Sequence, residues 1–154
     1  MFESIAGLPT HPLIVHLAVV AVPVAAILTL IYAFRPTLRA KFGIVTVAIN
    51  FVAAVATVLA RSTGEAMLPL VNLSEENPGP VSTHAAYANY MLIAVGLMFI
   101  ASAVLLWRDR RQAETPGSIG TIAIIVMAIA AIASLVFVFL TGHEGAVLVW
   151  EKTQ

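Results

Sequence analysis

The 154-residue chain contains no cysteine. Disulfides, thiolate metal sites, iron–sulfur clusters, covalent c-type haem attachment and cysteine nucleophiles are therefore excluded, and the redox compartment stays open from this direction. Charge is almost as scarce. Only 10% of the residues are Asp, Glu, Lys or Arg, eight of each sign, and the formal net charge is zero. Such a balance offers no basic surface for nucleic acid. Phosphate-binding loops, a nucleophile elbow and zinc-protease motifs are missing as well.

What remains is apolar. Hydrophobic residues make up 60% of the chain and the mean hydropathy is +0.98, a composition that a water-soluble domain cannot carry on its surface. A helix needs about 20 mostly apolar residues to cross the hydrocarbon core, and residues 12–34, 42–60, 85–107 and 119–140 meet that requirement. They predict an all-α integral membrane protein, a single transmembrane domain of four spans. Breaks fall at Arg35-Pro36, at Asn77-Pro78-Gly79-Pro80 and at Thr115-Pro116-Gly117-Ser118, and Pro12 suits a first helical turn, where its missing N–H costs nothing. Met1-Phe2-Glu3 has no basic region and the apolar run after it is too long for a signal peptide, so the first span is expected to be retained.

Lys and Arg near helix ends stay on the cytoplasmic side. Arg35, Arg39 and Lys41 fill the first connection and Arg108, Arg110 and Arg111 the third, against only Arg61 and Lys152 elsewhere. Both termini are thereby expected to be extracytoplasmic. Glu3, Glu65, Glu75, Glu76, Glu144 and Glu151 fall on that outer side.

The halves of the chain repeat. The first span opens on Thr10-His11 and the third on Thr83-His84; the second closes on Thr63-Gly64-Glu65-Ala66 and the fourth on Thr141-Gly142-His143-Glu144-Gly145-Ala146. Because the first and third spans run the same way, the repeat is parallel. It predicts a four-helix bundle of two hairpins about a pseudo-twofold axis along the membrane normal.

All four histidines, His11, His16, His84 and His143, map to the outer ends of the spans, and Glu65 and Glu144 join them. Imidazole is the commonest biological metal ligand, and His and Glu converging from facing helices are how bundles hold haem and metals. The expected metal set is His11, His16, His84, His143, Glu65 and Glu144. For haem b the expected axial pair is His16 and His84, with His11 or His143 as substitute and Arg61 as a partner for the propionates. Two axial imidazoles suit electron transfer, because they close both open positions on iron. A bare ion would be Zn, Fe, Mn or Cu, with Met67 as a further donor.

Each of these residues also has a plainer reading: His11 and His84 as parts of a helix start, His143 as a helix terminator between glycines, the carboxylates as solvated rim groups, Arg61 as an ion-pair partner. His11 and His16 are five apart, about 140° on a helix, and cannot both face one ligand from a regular helix. Either His11 folds back over the mouth from a non-helical start, or the two serve different partners. The repeat pairs His16 with Asn89, which predicts a roughly symmetric ring. Asn50, Thr57, Arg61 and Gly64 form one stripe expected to face neighbouring helices. Ala53, Ala54, Gly96, Ala130 and Ala131 allow close helix approach, and Tyr87, Tyr90, Trp107 and Trp150 read as interfacial anchors.

The segment from Gly7 through Thr10-His11-Pro12-Leu13-Ile14-Val15-His16, with Thr63-Gly64-Glu65-Ala66, a His opening the third span and Gly142-His143-Glu144-Gly145, resembles a bacterial family of four-helix membrane proteins, domain of unknown function 2231. That resemblance covers nearly the whole chain. It implies a multi-pass protein of the bacterial inner membrane with a His-rich outer face, and it implies no activity. Gly145-Ala146 stands here where the family usually has two glycines. In architecture alone the chain is also similar to four-helix b-type cytochromes.

Two functions of different class follow. One is a small haem- or metal-binding protein for electron transfer, with respiratory subunits or quinone as partners. The other is an accessory subunit of a larger membrane complex, or a homo-oligomer, whose histidines form only hydrogen bonds. A proton channel would need polar residues through the full depth of the bundle, and Asn50 and Thr57 are too sparse for that.

Overall fold

The computed structural model describes residues 4–5, 7–111 and 117–150, and of residues 4, 5, 8 and 9 the backbone alone. Glu3, Glu151, Lys152 and the Thr115-Pro116 boundary lie outside the described residues. A two-residue antiparallel pair, β1 (Ser4–Ile5) with β2 (Leu8–Pro9), precedes the first helix and turns through Gly7 at φ +81°. Four helices follow: α1 (Thr10–Phe34), α2 (Arg39–Met67), α3 (Ser82–Arg110) and α4 (Gly117–Trp150). All are long and apolar enough to cross a membrane. Such a chain must be helical in lipid, where every backbone N–H and C=O has to find its partner within the segment.

Packing closes the four into a ring. Each helix lies against its neighbours in sequence, α1 closes against α4, and α1 and α3 stand on a diagonal with little direct contact. The starts of α1 and α3 and the ends of α2 and α4 thus share one end of the bundle, the histidine end. Arg35, Arg39, Lys41, Arg108, Arg110 and Arg111 share the other.

The interior is richer in small and hydroxyl-bearing side chains, the outside in large apolar ones. Ala18, Ala21, Ala25, Ala26, Ala53, Ala130 and Ala131 fill the interior with Val22, Val95 and Met98. Val20, Ile27, Ile129 and Phe139 point outward, Phe139 at 72% exposure. Lipid tails are as apolar as a leucine side chain, so burial of large residues gains nothing there; close approach over small ones gains dispersion contact. The interior also holds Thr29, Thr46, Asn50, Thr57, Ser102 and Ser134. The Asn50 amide lies 3.0 Å from Thr29 Oγ1 and donates to Ser102 Oγ at 2.9 Å, tying α2 to both α1 and α3.

At the arginine end, the 3-10 turn Pro36–Leu38 brings Arg39 back to cap α1, its guanidinium donating to the Tyr32 and Ala33 carbonyls at 3.2 and 2.8 Å. Tyr32, fully buried, donates to Asp109 at 2.9 Å. Arg111 sits over the Trp107 ring.

The helices run further than the hydropathy windows. The largest extension is in α4, where residues 141–150 continue the helix through Gly142-His143-Glu144-Gly145. The expectation that His143 ends the fourth helix is corrected. No proline follows these glycines, each glycine costs a helix only about 1 kcal/mol, and residues 146–150 are again apolar. At 34 residues α4 is about 51 Å long, well beyond a hydrocarbon core of about 30 Å.

Candidate functional site at the histidine end

Both histidines that open a helix are helical and face their hairpin partner. His11 on α1 has Nδ1 3.0 Å from the Ala60 carbonyl and 3.2 Å from Thr63 Oγ1 on α2. His84 on α3 has Nδ1 2.9 Å from the Thr141 carbonyl on α4. A carbonyl can only accept, so Nδ1 carries the proton in both rings. Thr63 already donates within its own helix, to Leu59 at 2.8 Å and Ala60 at 3.1 Å. In each neutral imidazole Nε2 then keeps its lone pair, the arrangement in which histidine binds metals.

The other expected ligands are not brought to this pair. His16 is helical and exposed on the outer side of α1, its Nδ1 bonded to the Pro12 carbonyl of its own helix at 2.5 Å. The 140° between His11 and His16 is resolved by different partners, and the non-helical start for His11 is corrected. Asn89 is also exposed, so the expected ring of His11, His84, His16 and Asn89 does not form. His143 is exposed and stacks on Phe139, ring centroids 6.4 Å apart. Arg61 pairs with Glu65 and donates to Asn89 Oδ1 at 2.7 Å, joining α2 to α3; Glu144 is half-buried on α4. Among the described residues no three His, Asp or Glu side chains gather as a metal cluster.

Two buried hydroxyls, Thr10 Oγ1 and Thr141 Oγ1, find no partner among the described residues. Thr10 directly precedes His11, and Thr141 supplies the carbonyl that holds His84. The stripe of Asn50, Thr57, Arg61 and Gly64 faces neighbouring helices as its spacing predicts. What the sequence reading did not find are the two carbonyls and the glycines beside them. A repeat of His against Gly across each hairpin was the available signal.

Fold and site together define an all-helical, four-span membrane protein, built as two hairpins each closed by a histidine. The chain belongs to the family of predicted membrane proteins DUF2231, which it matches over residues 7–153. No curated protein and no solved structure matches it.

Proposed function

We propose that the histidine end binds haem b, which His11 and His84 would hold through Nε2, and that the protein transfers electrons at the outer face of the bacterial inner membrane. The observation that carries this reading is the matched pair of Nδ1–H···O=C bonds, one per hairpin, each leaving Nε2 without a hydrogen-bond partner among the described residues. The ligand count points the same way. A bare Zn, Fe, Mn or Cu ion asks for three or four protein donors, whereas haem iron takes four from its porphyrin and two from the protein. Thr10 and Thr141 add buried hydroxyls without partners beside that pair. His11 replaces His16 as the partner of His84. Bound haem would supply one-electron chemistry; the chain supplies tautomer and orientation. Quinone or a respiratory subunit is the class of partner that could reach such a rim.

The test is the absorption spectrum of detergent-purified protein, oxidised and then dithionite-reduced, beside elemental analysis. A Soret band that sharpens on reduction, near-stoichiometric iron, and loss of both in His11→Ala and His84→Ala are expected. Retention of full cofactor in either variant would remove that histidine from the ligand set.

The same two bonds favour one second reading, an accessory subunit in which His11 and His84 only fasten the hairpins. A colourless, metal-free sample whose hairpins loosen on His11→Ala or His84→Ala would select it.

A further inference from the structure

Each imidazole rests on a glycine one helical turn beyond the carbonyl it bonds. Ala60 and Gly64 are four apart on α2, Thr141 and Gly145 four apart on α4, so carbonyl and glycine share a face of their helix. A Cβ built on Gly64 would stand 3.1 Å from His11 Cε1 and 3.4 Å from its Nδ1; on Gly145 it would stand 3.2 Å from His84 Cε1 and 3.4 Å from its Nδ1. Carbon atoms in contact prefer about 3.5–4.0 Å. Any side chain at either position therefore pushes on the ring edge that makes the hydrogen bond.

We propose that Gly64 and Gly145 are the positioning residues of the two imidazoles: they seat His11 and His84 edge-on against a partner-helix carbonyl and so lock both in the Nδ1–H tautomer, with Nε2 as the free donor. A histidine side chain free in water prefers the other tautomer, with its proton on Nε2. The lock is built twice: Cε1 and Nδ1 lie nearest the glycine in both rings, with His11 Nε2 farther off at 3.8 Å from a Cβ on Gly64, and His11 and His84 are themselves equivalent positions of the internal repeat. Gly142 and Gly96, by contrast, have nothing within 4 Å of a built Cβ. The consequence for a cofactor rests on the proposed ligand role of His11 and His84, but the tautomer does not.

The experiment is long-range 1H–15N correlation on detergent-solubilised protein labelled with 15N-histidine and free of cofactor. The expected spectrum shows His11 and His84 protonated at Nδ1. Gly64→Ala should return His11 to the ordinary tautomer mixture and leave His84 unchanged; Gly145→Ala should do the reverse. An unchanged histidine in its own glycine variant would overturn the proposal, as would Nε2 protonation in the native protein. If Gly64→Ala disturbs both signals, His11→Ala/Gly64→Ala, which removes the clash, should restore that of His84, and failure to restore it would also overturn the lock. In protein reconstituted with haem, each glycine variant should lose roughly 10–100-fold in affinity, the range of lost outer-shell contacts. Native protein that keeps both tautomers yet takes up no haem would remove the proposed function and leave the lock standing.

Discussion

Replacing Asn50 by alanine tests how the halves of the bundle are held together at mid-depth. Asn50 is completely buried, and its amide reaches Thr29 on α1 and Ser102 on α3 at 3.0 and 2.9 Å. Thr29 and Ser102, like His11 and His84, stand 73 residues apart, so a single side chain joins two positions that the duplication makes equivalent. Interhelical hydrogen bonds inside a bilayer are worth about 0.6 kcal/mol on average and about 1.7 at most, which gives about 1–3 kcal/mol for the two. Truncation also leaves a small cavity in a closely packed interior and adds roughly 1 kcal/mol. Two compensations limit the loss. Ser102 keeps its proton on the Phe99 carbonyl at 2.8 Å, and the Thr29 hydroxyl can turn to the carbonyl four residues earlier in its own helix. The expected cost is about 2–4 kcal/mol, measured by steric trapping or by unfolding in mixed micelles. Asn50→Leu, which refills the volume without the polar group, should lose less. In a double-mutant cycle Asn50 and Ser102 should couple by about 0.6–1.7 kcal/mol. Zero coupling would refute the bond, and a gain of stability in Asn50→Ala would refute the tie.

Three further outcomes are expected. If the proposed haem binding holds, His16→Ala should leave haem content unchanged, because His16 faces outward and bonds within its own helix; loss of haem would return His16 to the ligand set. Tyr32→Phe removes the donor to Asp109 and should cost about 1–2 kcal/mol of unfolding free energy, with Asp109→Ala, which removes the acceptor, largely suppressing the difference. The chain has no cysteine of its own, so single cysteines report orientation without background: one placed within residues 71–81 should react with an impermeant maleimide from outside and one at Arg39 only after permeabilisation. The reverse pattern would invert the bundle.

The four spans were legible because hydropathy averages over about 20 residues and lipid leaves the backbone no alternative to helix. The common end of the histidines was legible because alternate spans reverse direction. Which histidine turns inward was not, since α1 is apolar on every side and offers no hydrophobic stripe to set its rotation. Residue size carried that information instead. From His11, steps of seven, four, three, four and three lead to Ala18, Val22, Ala25, Thr29 and Tyr32, all buried; from His16, Val20, Val24, Ile27 and Ile31 are all exposed. The same steps from His84 reach Met91, Val95, Met98, Ser102 and Leu105, again all buried. On α1 the small and hydroxyl-bearing residues mark the inside and set His11 apart from His16; on α3 the buried line from His84 runs through Met91, Met98 and Leu105, which residue size alone does not pick out.

The repeat itself was only half legible. Thr63-Gly64 and Thr141-Gly142 align by eye, which pairs Gly64 with Gly142. The structure pairs Gly64 with Gly145, three residues later, because Gly145 lies against His84 while a Cβ on Gly142 would meet nothing within 4 Å. Three residues is about 300° of helical rotation, so the two registers present faces about 60° apart, and only one sets a glycine under the ring. This difference gives opposite expectations for two neighbouring substitutions. Gly142→Ala adds a methyl group to open space in a helix and should raise stability by about 0.5–1 kcal/mol with no change at His84. Gly145→Ala places its methyl 3.2 Å from the ring and should displace it. If unfolding and histidine spectra instead showed Gly142→Ala disturbing His84 and Gly145→Ala silent, the alignment by eye would be the true register and α4 would sit about one turn from the position described.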